Sequence, residues 1–99
     1  MTNPASRPVR LGAHEVAQRL AALPRWSKTG DAIERTWVHR DFVASMRFVT
    51  TVADLAERAQ HHPDILIRWN KVTLSLTTHD AGGITPKDFD LARQFDALV

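Results

Sequence analysis

The fold is decided by residues 41–80, which read DFVASMRFVTTVADLAERAQHHPDILIRWNKVTLSLTTHD. Apolar residues recur at helical spacing in the first half, and apolar and polar residues alternate in the second half. Pro63 disfavours a helical conformation at His62, so the helix is predicted to end near His61 and His62. This stretch therefore predicts one long helix followed by two strands.

The predicted long helix begins after Asp41, a residue type suited to capping a helix N-terminus. Its apolar stripe has intervals of four and three residues and consists of Phe42, Met46, Val49, Ala53 and Ala56. Four more apolar residues widen this stripe: Val43, Val52, Leu55 and Ala59. Such a wide apolar surface predicts that the helix covers a sheet and also contacts a partner subunit.

The two strands that follow are predicted at Ile65–Trp69 and Val72–Thr78, joined at Asn70-Lys71. In the second strand the apolar residues share one face: Val72, Leu74 and Leu76. The period of two places the polar residues on the other face: Thr73, Ser75, Thr77 and His79. This strand is therefore predicted to bury one face and to carry His79 at its end.

The residues before Asp41 predict a helix and a hairpin. A short amphipathic helix is expected from about Gly12 to Leu23. Strands at Trp26–Lys28 and Ala32–Arg40 flank a turn at residues 29–31, where Gly30 provides the backbone freedom that a tight connection needs. Residues 1–10 are predicted to form a flexible lead-in, which leaves residues 11–99 as a single domain.

The last predicted helix begins at Thr85, with Pro86 at its first position, a favoured arrangement. Its packing residues are expected to be Ile84, Phe89, Leu91, Ala92 and Phe95. The element order is then α-β-β-α-β-β-α, which predicts an α+β fold, a four-stranded antiparallel sheet with helices packed on one face. The other face is solvated or covered by another subunit, so a homodimer or homotetramer is expected.

Composition excludes several classes of protein. The 99 residues include no cysteine, so disulfides, thiolate chemistry and cysteine-bound metals are excluded. The net charge of +2 comes without a dense stripe of basic residues, so direct nucleic-acid binding is not expected. No apolar run approaches the roughly 20 residues of a membrane span. No secretory signal is visible, and a cytoplasmic location is expected.

Three of the five histidines lie where a functional site is expected, His61 and His62 at a helix end and His79 at a strand end. Imidazole gains and loses a proton near neutral pH, so histidines that converge in one cleft can donate and accept protons. His14 and His39 are predicted to be solvated surface residues.

Other interpretations of these residues stay open. The three histidines, with Asp80 or Asp88, are ligand types for zinc, but adjacent histidines seldom reach one ion, and no metal site is predicted. Asp88 stands at the capping-box position after Thr85, a structural role that is compatible with orienting a histidine. Trp69 is expected to pack, although an aromatic at a strand end also suits the wall of a pocket for a flat heterocycle.

The segment ERAQHHPD at 57–64, followed by WNKV at 69–72 and TTHD at 77–80, resembles the pterin-4a-carbinolamine dehydratases. The likeness continues through Gly83-Ile84-Thr85 and Asp88 to Leu91-Ala92, and it spans most of the chain from about residue 11. The resemblance implies a compact α+β subunit that forms dimers or tetramers and uses no metal and no cofactor, because the pterin is the substrate.

The resemblance also implies an activity and its residues. The substrate would be the 4a-hydroxytetrahydropterin left by aromatic amino-acid hydroxylases, and the product would be a quinonoid dihydropterin. This dehydration would support tetrahydropterin recycling. It would also link the chain functionally to an aromatic amino-acid hydroxylase. His61 and His79 would transfer protons, His62 would position the pterin, and Asp88 would orient a histidine. The implied substrate-binding residues are His62, Pro63, Thr77, Thr78 and Trp69, and Trp69 stands where many members have tyrosine.

Two alternatives accompany the enzyme hypothesis. Members of the family also act as dimerisation partners of a transcription factor, and relatives assist assembly of a carbon-fixing enzyme, so a non-catalytic protein-binding module is one alternative. The presence of all the implied histidines favours an enzyme. The other alternative is a dehydratase acting on a different pterin, because the sequence does not indicate the pterin side chain.

Overall fold

The structure, a computed structural model, describes residues 8–98. The predicted element order is confirmed, with a short 3₁₀ turn at His79–Ala81 added before the last helix. The helices and strands are α1 (Ala13–Leu20), β1 (Ser27–Thr29), β2 (Ala32–Val38), α2 (Phe42–Ala59), β3 (Asp64–Arg68), β4 (Lys71–Leu76) and α3 (Pro86–Asp96). Most of the predicted lead-in, residues 1–7, lies outside the described residues.

All strands pair antiparallel, in the order β1-β2-β4-β3. In β4, Val72, Leu74 and Leu76 are fully buried, whereas Thr73 and Ser75 on the other face are only partly covered. The helices therefore cover one face of the sheet, and the predicted α+β fold is confirmed. None of the helices within residues 8–98 is long and apolar enough to cross a membrane.

The core lies between the sheet and the helices. Helix α3 contributes the residues predicted for it, because Phe89, Leu91, Ala92 and Phe95 are buried. On the sheet side, the rings of Trp26 and Trp37 pack edge to face with centroids 5.7 Å apart.

A charged residue also lies inside, on the core face of β2. Arg35 is 9% exposed, and its guanidinium lies 4.3 Å from the centroid of the Trp37 ring. Its Nη1 donates a hydrogen bond of 2.5 Å to Asp96 Oδ1 at the end of α3. Trp26 Nε1 donates to the same oxygen at 2.7 Å. Asp96 thus joins the end of α3 to β2 and to the residue that precedes β1.

The predicted buried face of α2 is partly wrong. The helix buries Ser45, Phe48, Val52 and Ala56, whereas Phe42, Val43 and Met46 are exposed. Apolar residues occupy two sides of this helix, so their spacing alone did not indicate which side faces the sheet. Ser45 is tolerated inside because its hydroxyl donates to the Asp41 carbonyl within the same helical turn.

Capping and turn residues predicted the ends of the helices and strands to within a few residues. Asp41 caps α2 as predicted, since its side chain accepts a hydrogen bond of 2.8 Å from Ala44 N. Helix α1 is shorter than the predicted span, and β2 ends at Val38 rather than Arg40. The β3–β4 turn is formed by Trp69 and Asn70, and Trp69 has a positive φ of 53°.

Candidate active site

Three chain segments meet at one end of the sheet: the end of α2, the end of β4 and the start of α3. Helix α2 ends with Gln60 in the left-handed conformation, φ 50°. Gln60 N then donates to Glu57 O and His61 N donates to Ala56 O, the bond pattern of a Schellman motif. This helix ending turns the chain sharply and directs His61 back toward the start of α3.

Asp88 is the buried centre of this region, with no exposed surface. Its Oδ2 accepts hydrogen bonds of 2.9 Å from Thr85 N and from Thr78 Oγ1. Its Oδ1 lies 2.5 Å from His61 Nε2. When Asp88 is ionised it can only accept hydrogen bonds, and His61 then donates its Nε2 proton to Oδ1. The predicted capping box is present, and the same carboxylate orients a histidine.

The hydroxyls of Thr78 and Thr85 form a hydrogen-bonded pair beside the Asp88 carboxylate. Thr78 Oγ1 lies 2.7 Å from Thr85 Oγ1, and both residues are buried. Thr78 and Gly83 also form an isolated β-bridge that closes the loop between β4 and α3. The position of Asp88 is therefore fixed by its own helix and by the end of β4.

A cavity of about 310 Å³ opens beside His61. That volume lies at the lower end of the roughly 300–1,000 Å³ typical of small-molecule sites. The cavity is lined by Pro8, Gln60, His61, His62, Thr77, Thr78, His79, Asp80 and Lys87. The structure thus brings together the three predicted histidines and both predicted threonines, with Asp88 directly behind His61.

The other two cavity histidines are exposed. His62 is 63% exposed, and its Nε2 lies 2.7 Å from Glu57 Oε1 on the last turn of α2. His79 is the first residue of the 3₁₀ turn, where the chain leaves the end of β4. Both side chains are therefore able to exchange protons with solvent, whereas His61 is held by its buried partner.

The structure does not bring every predicted residue to the cavity. Trp69 lies at the opposite end of β3, 65% exposed and outside the cavity lining of its own subunit. Trp69 is five positions beyond Asp64, the first residue of β3, which along an extended strand is a distance of roughly 16 Å. Pro63 follows His62 but does not line the cavity. His14 is exposed as predicted. The prediction that His39 is solvated is wrong, because its ring packs against Phe48 with centroids 4.8 Å apart and its Nε2 is buried.

Four cavity-lining residues were not predicted to belong to the pterin site: Pro8, Gln60, Asp80 and Lys87. Three of them are adjacent in sequence to His61, His79 and Asp88, and this adjacency could have predicted that they lie at the cavity. Within residues 8–98, no three histidine or acidic side chains are grouped in a way that could hold a metal ion.

The arrangement is suited to proton transfer. With Nε2–H of His61 donated to Asp88, the neutral ring has its lone pair on Nδ1, the nitrogen that is left to accept a proton. His79 lines the same cavity. Two histidines with different surroundings can therefore handle two protons on one bound molecule.

Comparisons with known proteins agree with one another. The family profile described as "Pterin 4 alpha carbinolamine dehydratase" matches residues 9–98. A protein from Roseiflexus sp. (strain RS-1) named "Putative pterin-4-alpha-carbinolamine dehydratase" is 54% identical over 90 residues, which cover 91% of this chain and 97% of that relative. A protein of the same name from Thermosynechococcus vestitus is 51% identical over 90 residues, covering 91% of this chain and 95% of the relative.

Two solved structures share the fold. The crystal structure of a transcriptional coactivator/pterin dehydratase from Brucella melitensis superposes with a TM-score of 0.85 and 34% identity, covering 90% of this chain and 97% of that one. A pterin dehydratase-like protein described as a RuBisCO assembly factor in the alpha-carboxysome has a TM-score of 0.60 and 20% identity, covering 75% of this chain and 86% of that one. The second likeness concerns the fold alone.

Proposed function

The chain belongs to the pterin 4 alpha carbinolamine dehydratase family, and on that premise we propose that it removes water from a 4a-hydroxytetrahydropterin to give a quinonoid dihydropterin. The observation that carries this proposal is the His61–Asp88 pair at the wall of a cavity that His79 also lines. The pterin is the substrate, and no metal or cofactor takes part in the proposed reaction.

The reaction moves two protons. Hydroxide is a poor leaving group, so His79 donates a proton to the C4a hydroxyl, which departs as water. His61 Nδ1 takes the proton from N5, and the N5 electrons form the new double bond to C4a. His79 recovers its proton from solvent because it is exposed, and His61 releases its proton after the product leaves.

The remaining lining residues bind the substrate in this proposal. His62, oriented by Glu57, contacts the pterin at the cavity mouth. Thr77 and Thr78 contribute wall surface, because their hydroxyls already donate to Asp31 O and Asp88 Oδ2. Asp88 acts through His61 and does not touch the substrate, since it has no exposed surface.

We expect the protein to accelerate dehydration of 4a-hydroxytetrahydropterin generated in place by an aromatic amino-acid hydroxylase. The measurement is the absorbance of the quinonoid product near pH 8, with and without the protein. Several pterin side chains are compared, because the substrate side chain is not fixed by the family. Equal rates with and without folded protein, for every pterin offered, would contradict the proposed reaction.

We also propose that the chain forms a homodimer or homotetramer. Several large apolar side chains are exposed in the single subunit: Val38, Phe42, Val43, Met46, Ile65, Leu66 and Trp69. Val38 pairs with Lys71 beside the Trp69–Asn70 turn, and α2 begins next to it, so much of this apolar surface lies at one end of the sheet. That end is opposite the cavity, so a partner can cover it without blocking the site.

The substitution Val43→Glu is expected to dissociate the oligomer. Val43 is exposed in the first turn of α2, where a negative charge favours the helix, so the folded subunit should be preserved. Light scattering coupled to gel filtration should give a subunit mass for the variant and a multiple of it for the wild type. The matched control is Ala17→Glu on the exposed side of α1, which should keep the wild-type mass. A wild-type protein that elutes as a monomer would contradict the proposal.

The second candidate function is a protein-binding module on the same fold. The exposed apolar surface favours it, and the Brucella melitensis relative is described as a transcriptional coactivator as well as a pterin dehydratase. Variation of the cavity histidines distinguishes the two functions, because a binding role on the opposite end of the sheet does not depend on them. The cytoplasmic location stays a prediction.

A further inference from the structure

The segment Pro8–Leu11, called the strap below, lies along the edge of the proposed pterin cavity. Pro8 lines the cavity together with the three histidines. Three residues further on, Leu11 N donates a hydrogen bond of 2.8 Å to Ile84 O, and the Leu11 side chain packs against the core. The strap is thus bonded to the loop that precedes α3, and its proline forms part of the cavity wall.

The Arg10 side chain also contacts Gly83, a second residue of the loop that precedes α3. A Cβ atom added to Gly83 would lie 2.8 Å from Arg10 Nε, closer than Cβ atoms approach a non-bonded neighbour, and 3.1 Å from Arg10 Cδ, a tight contact. Only glycine at position 83 therefore allows the Arg10 side chain to lie where it does. Arg10 Nη2 also pairs with Asp31 Oδ1 at 3.6 Å. Both partners are mostly exposed, so this ion pair by itself contributes little.

Both residues that Arg10 contacts, Asp31 and Gly83, accept hydrogen bonds from residues that line the cavity. Asp31, whose carboxylate pairs with Arg10, accepts a hydrogen bond of 2.6 Å at its backbone carbonyl from Thr77 Oγ1. Gly83 accepts one of 2.9 Å at its carbonyl from Thr78 N. Thr77 and Thr78 are cavity-lining residues. Through Asp31 and Gly83, the strap is therefore connected to two threonines that line the cavity.

The strap is held at its edges but is not tightly packed underneath. A separate cavity of about 90 Å³ lies there, lined by Arg10, Leu11, Ala13, Val16, Lys28, Asp31 and Ile84. This space leaves room for the strap to shift. Loss of the Arg10 contacts should therefore release the strap without unfolding the domain.

We propose that the strap is a substrate-binding wall of the pterin site and that Arg10 is the positioning residue that holds it closed. This inference rests on the proposed function and deepens it. The ring of Pro8 presents an apolar surface to the flat reduced pterin, while the histidines perform the proton transfers. Arg10 acts only through the strap, so it sets substrate affinity and not the chemical step.

Two variants remove the Arg10 contact in different ways. Arg10→Ala deletes the side chain, and Gly83→Ala displaces it while keeping its charge, at a backbone position that needs no positive φ. Both variants are expected to raise KM for the 4a-hydroxytetrahydropterin about three- to tenfold and to keep kcat within about twofold of wild type. This pattern is expected because the strap contacts the substrate equally in the ground state and in the transition state. The matched control is Arg40→Ala, because Arg40 also forms an exposed 3.6 Å pair, with Asp41, at the far end of β2. Its KM should be unchanged.

A second measurement needs no substrate. The chain has no cysteine, so Pro8→Cys introduces a single thiol whose rate of maleimide labelling reports the exposure of the strap. Adding Arg10→Ala or Gly83→Ala should raise that rate severalfold, and adding Arg40→Ala should leave it unchanged. A bound non-reacting analogue, 7,8-dihydropterin, should slow labelling of the Pro8→Cys protein.

The outcomes separate this inference from the proposed function. Normal wild-type turnover with KM and labelling rates unchanged in both variants overturns the strap inference and leaves the dehydratase intact. A wild-type protein that neither dehydrates the substrate nor binds 7,8-dihydropterin overturns both. A change in kcat with no change in KM also overturns the strap inference, because it would give Arg10 a part in the chemical step.

Discussion

The His61→Ala protein is expected to lose roughly 10²- to 10⁴-fold in kcat, the usual contribution of general acid–base catalysis by one side chain. Replacement removes the Nδ1 atom that we propose accepts the N5 proton, and it leaves the buried Asp88 without its imidazole partner. His79→Ala should lose a comparable factor, and since His79 is exposed, its removal should leave the melting temperature unchanged. Steady-state kinetics and thermal unfolding of both proteins check these expectations.

Asp88→Asn separates positioning from chemistry. The amide oxygen still accepts hydrogen bonds from Thr85 N and Thr78 Oγ1, so α3 keeps its cap, but the amide no longer fixes the His61 tautomer as a carboxylate does. We expect kcat to fall about 10- to 100-fold with KM almost unchanged. The control is His14→Ala, an exposed histidine on α1 away from the cavity, which should retain full activity. Full turnover by either the His61→Ala or the His79→Ala protein would falsify the proposed mechanism.

Asp96→Ala is expected to reduce the free energy of unfolding by about 2–4 kcal/mol, because it leaves Arg35 buried without its partner. Asp96 Oδ1 accepts hydrogen bonds from both Arg35 and Trp26, so the substitution also removes the acceptor of a buried indole N–H. For a domain of this size, that loss corresponds to a fall in Tm of roughly 10–20 °C. Urea unfolding followed by far-ultraviolet circular dichroism measures the change.

Asp90→Ala provides the matched control on the same helix. Asp90 also pairs with an arginine, Arg93, but both side chains are more than half exposed. Exposed pairs contribute about 0–1 kcal/mol, so this variant should unfold close to the wild type. Equal stability of the Asp96→Ala and Asp90→Ala proteins would show that burial of the Arg35 pair has no part in holding α3 on the sheet.

Features that depend on a few neighbouring residues were predictable from the sequence. Asp41 and Thr85 were identified as helix caps because a cap is a contact with the next turn of the chain. The alternation in β4 correctly assigned its buried face, since a strand has only two faces. The gathering of His61 and His79 in one cavity came from the resemblance to a family, because spacing alone does not bring a helix end to a strand end.

Features that depend on tertiary contacts were missed. The exposed side of α2 is nearly as apolar as its buried side, so the pattern did not distinguish Met46 from Phe48. Trp69 was assigned to the site because the residues around it belong to the family pattern, but strand length places it at the far end of β3. The partner of Arg35 lies 61 residues further along the chain, and no local pattern indicates such a pair.

Helix α3 supplies both Asp88 and Asp96, so its docking affects the site and the core together. This helix follows all four strands in the chain. Until α3 docks, the apolar face of the sheet lacks the helix that supplies Phe89 and Phe95, Arg35 has no counter-charge, and His61 has no carboxylate. Docking of α3 therefore closes the core and completes the His61–Asp88 pair in a single step.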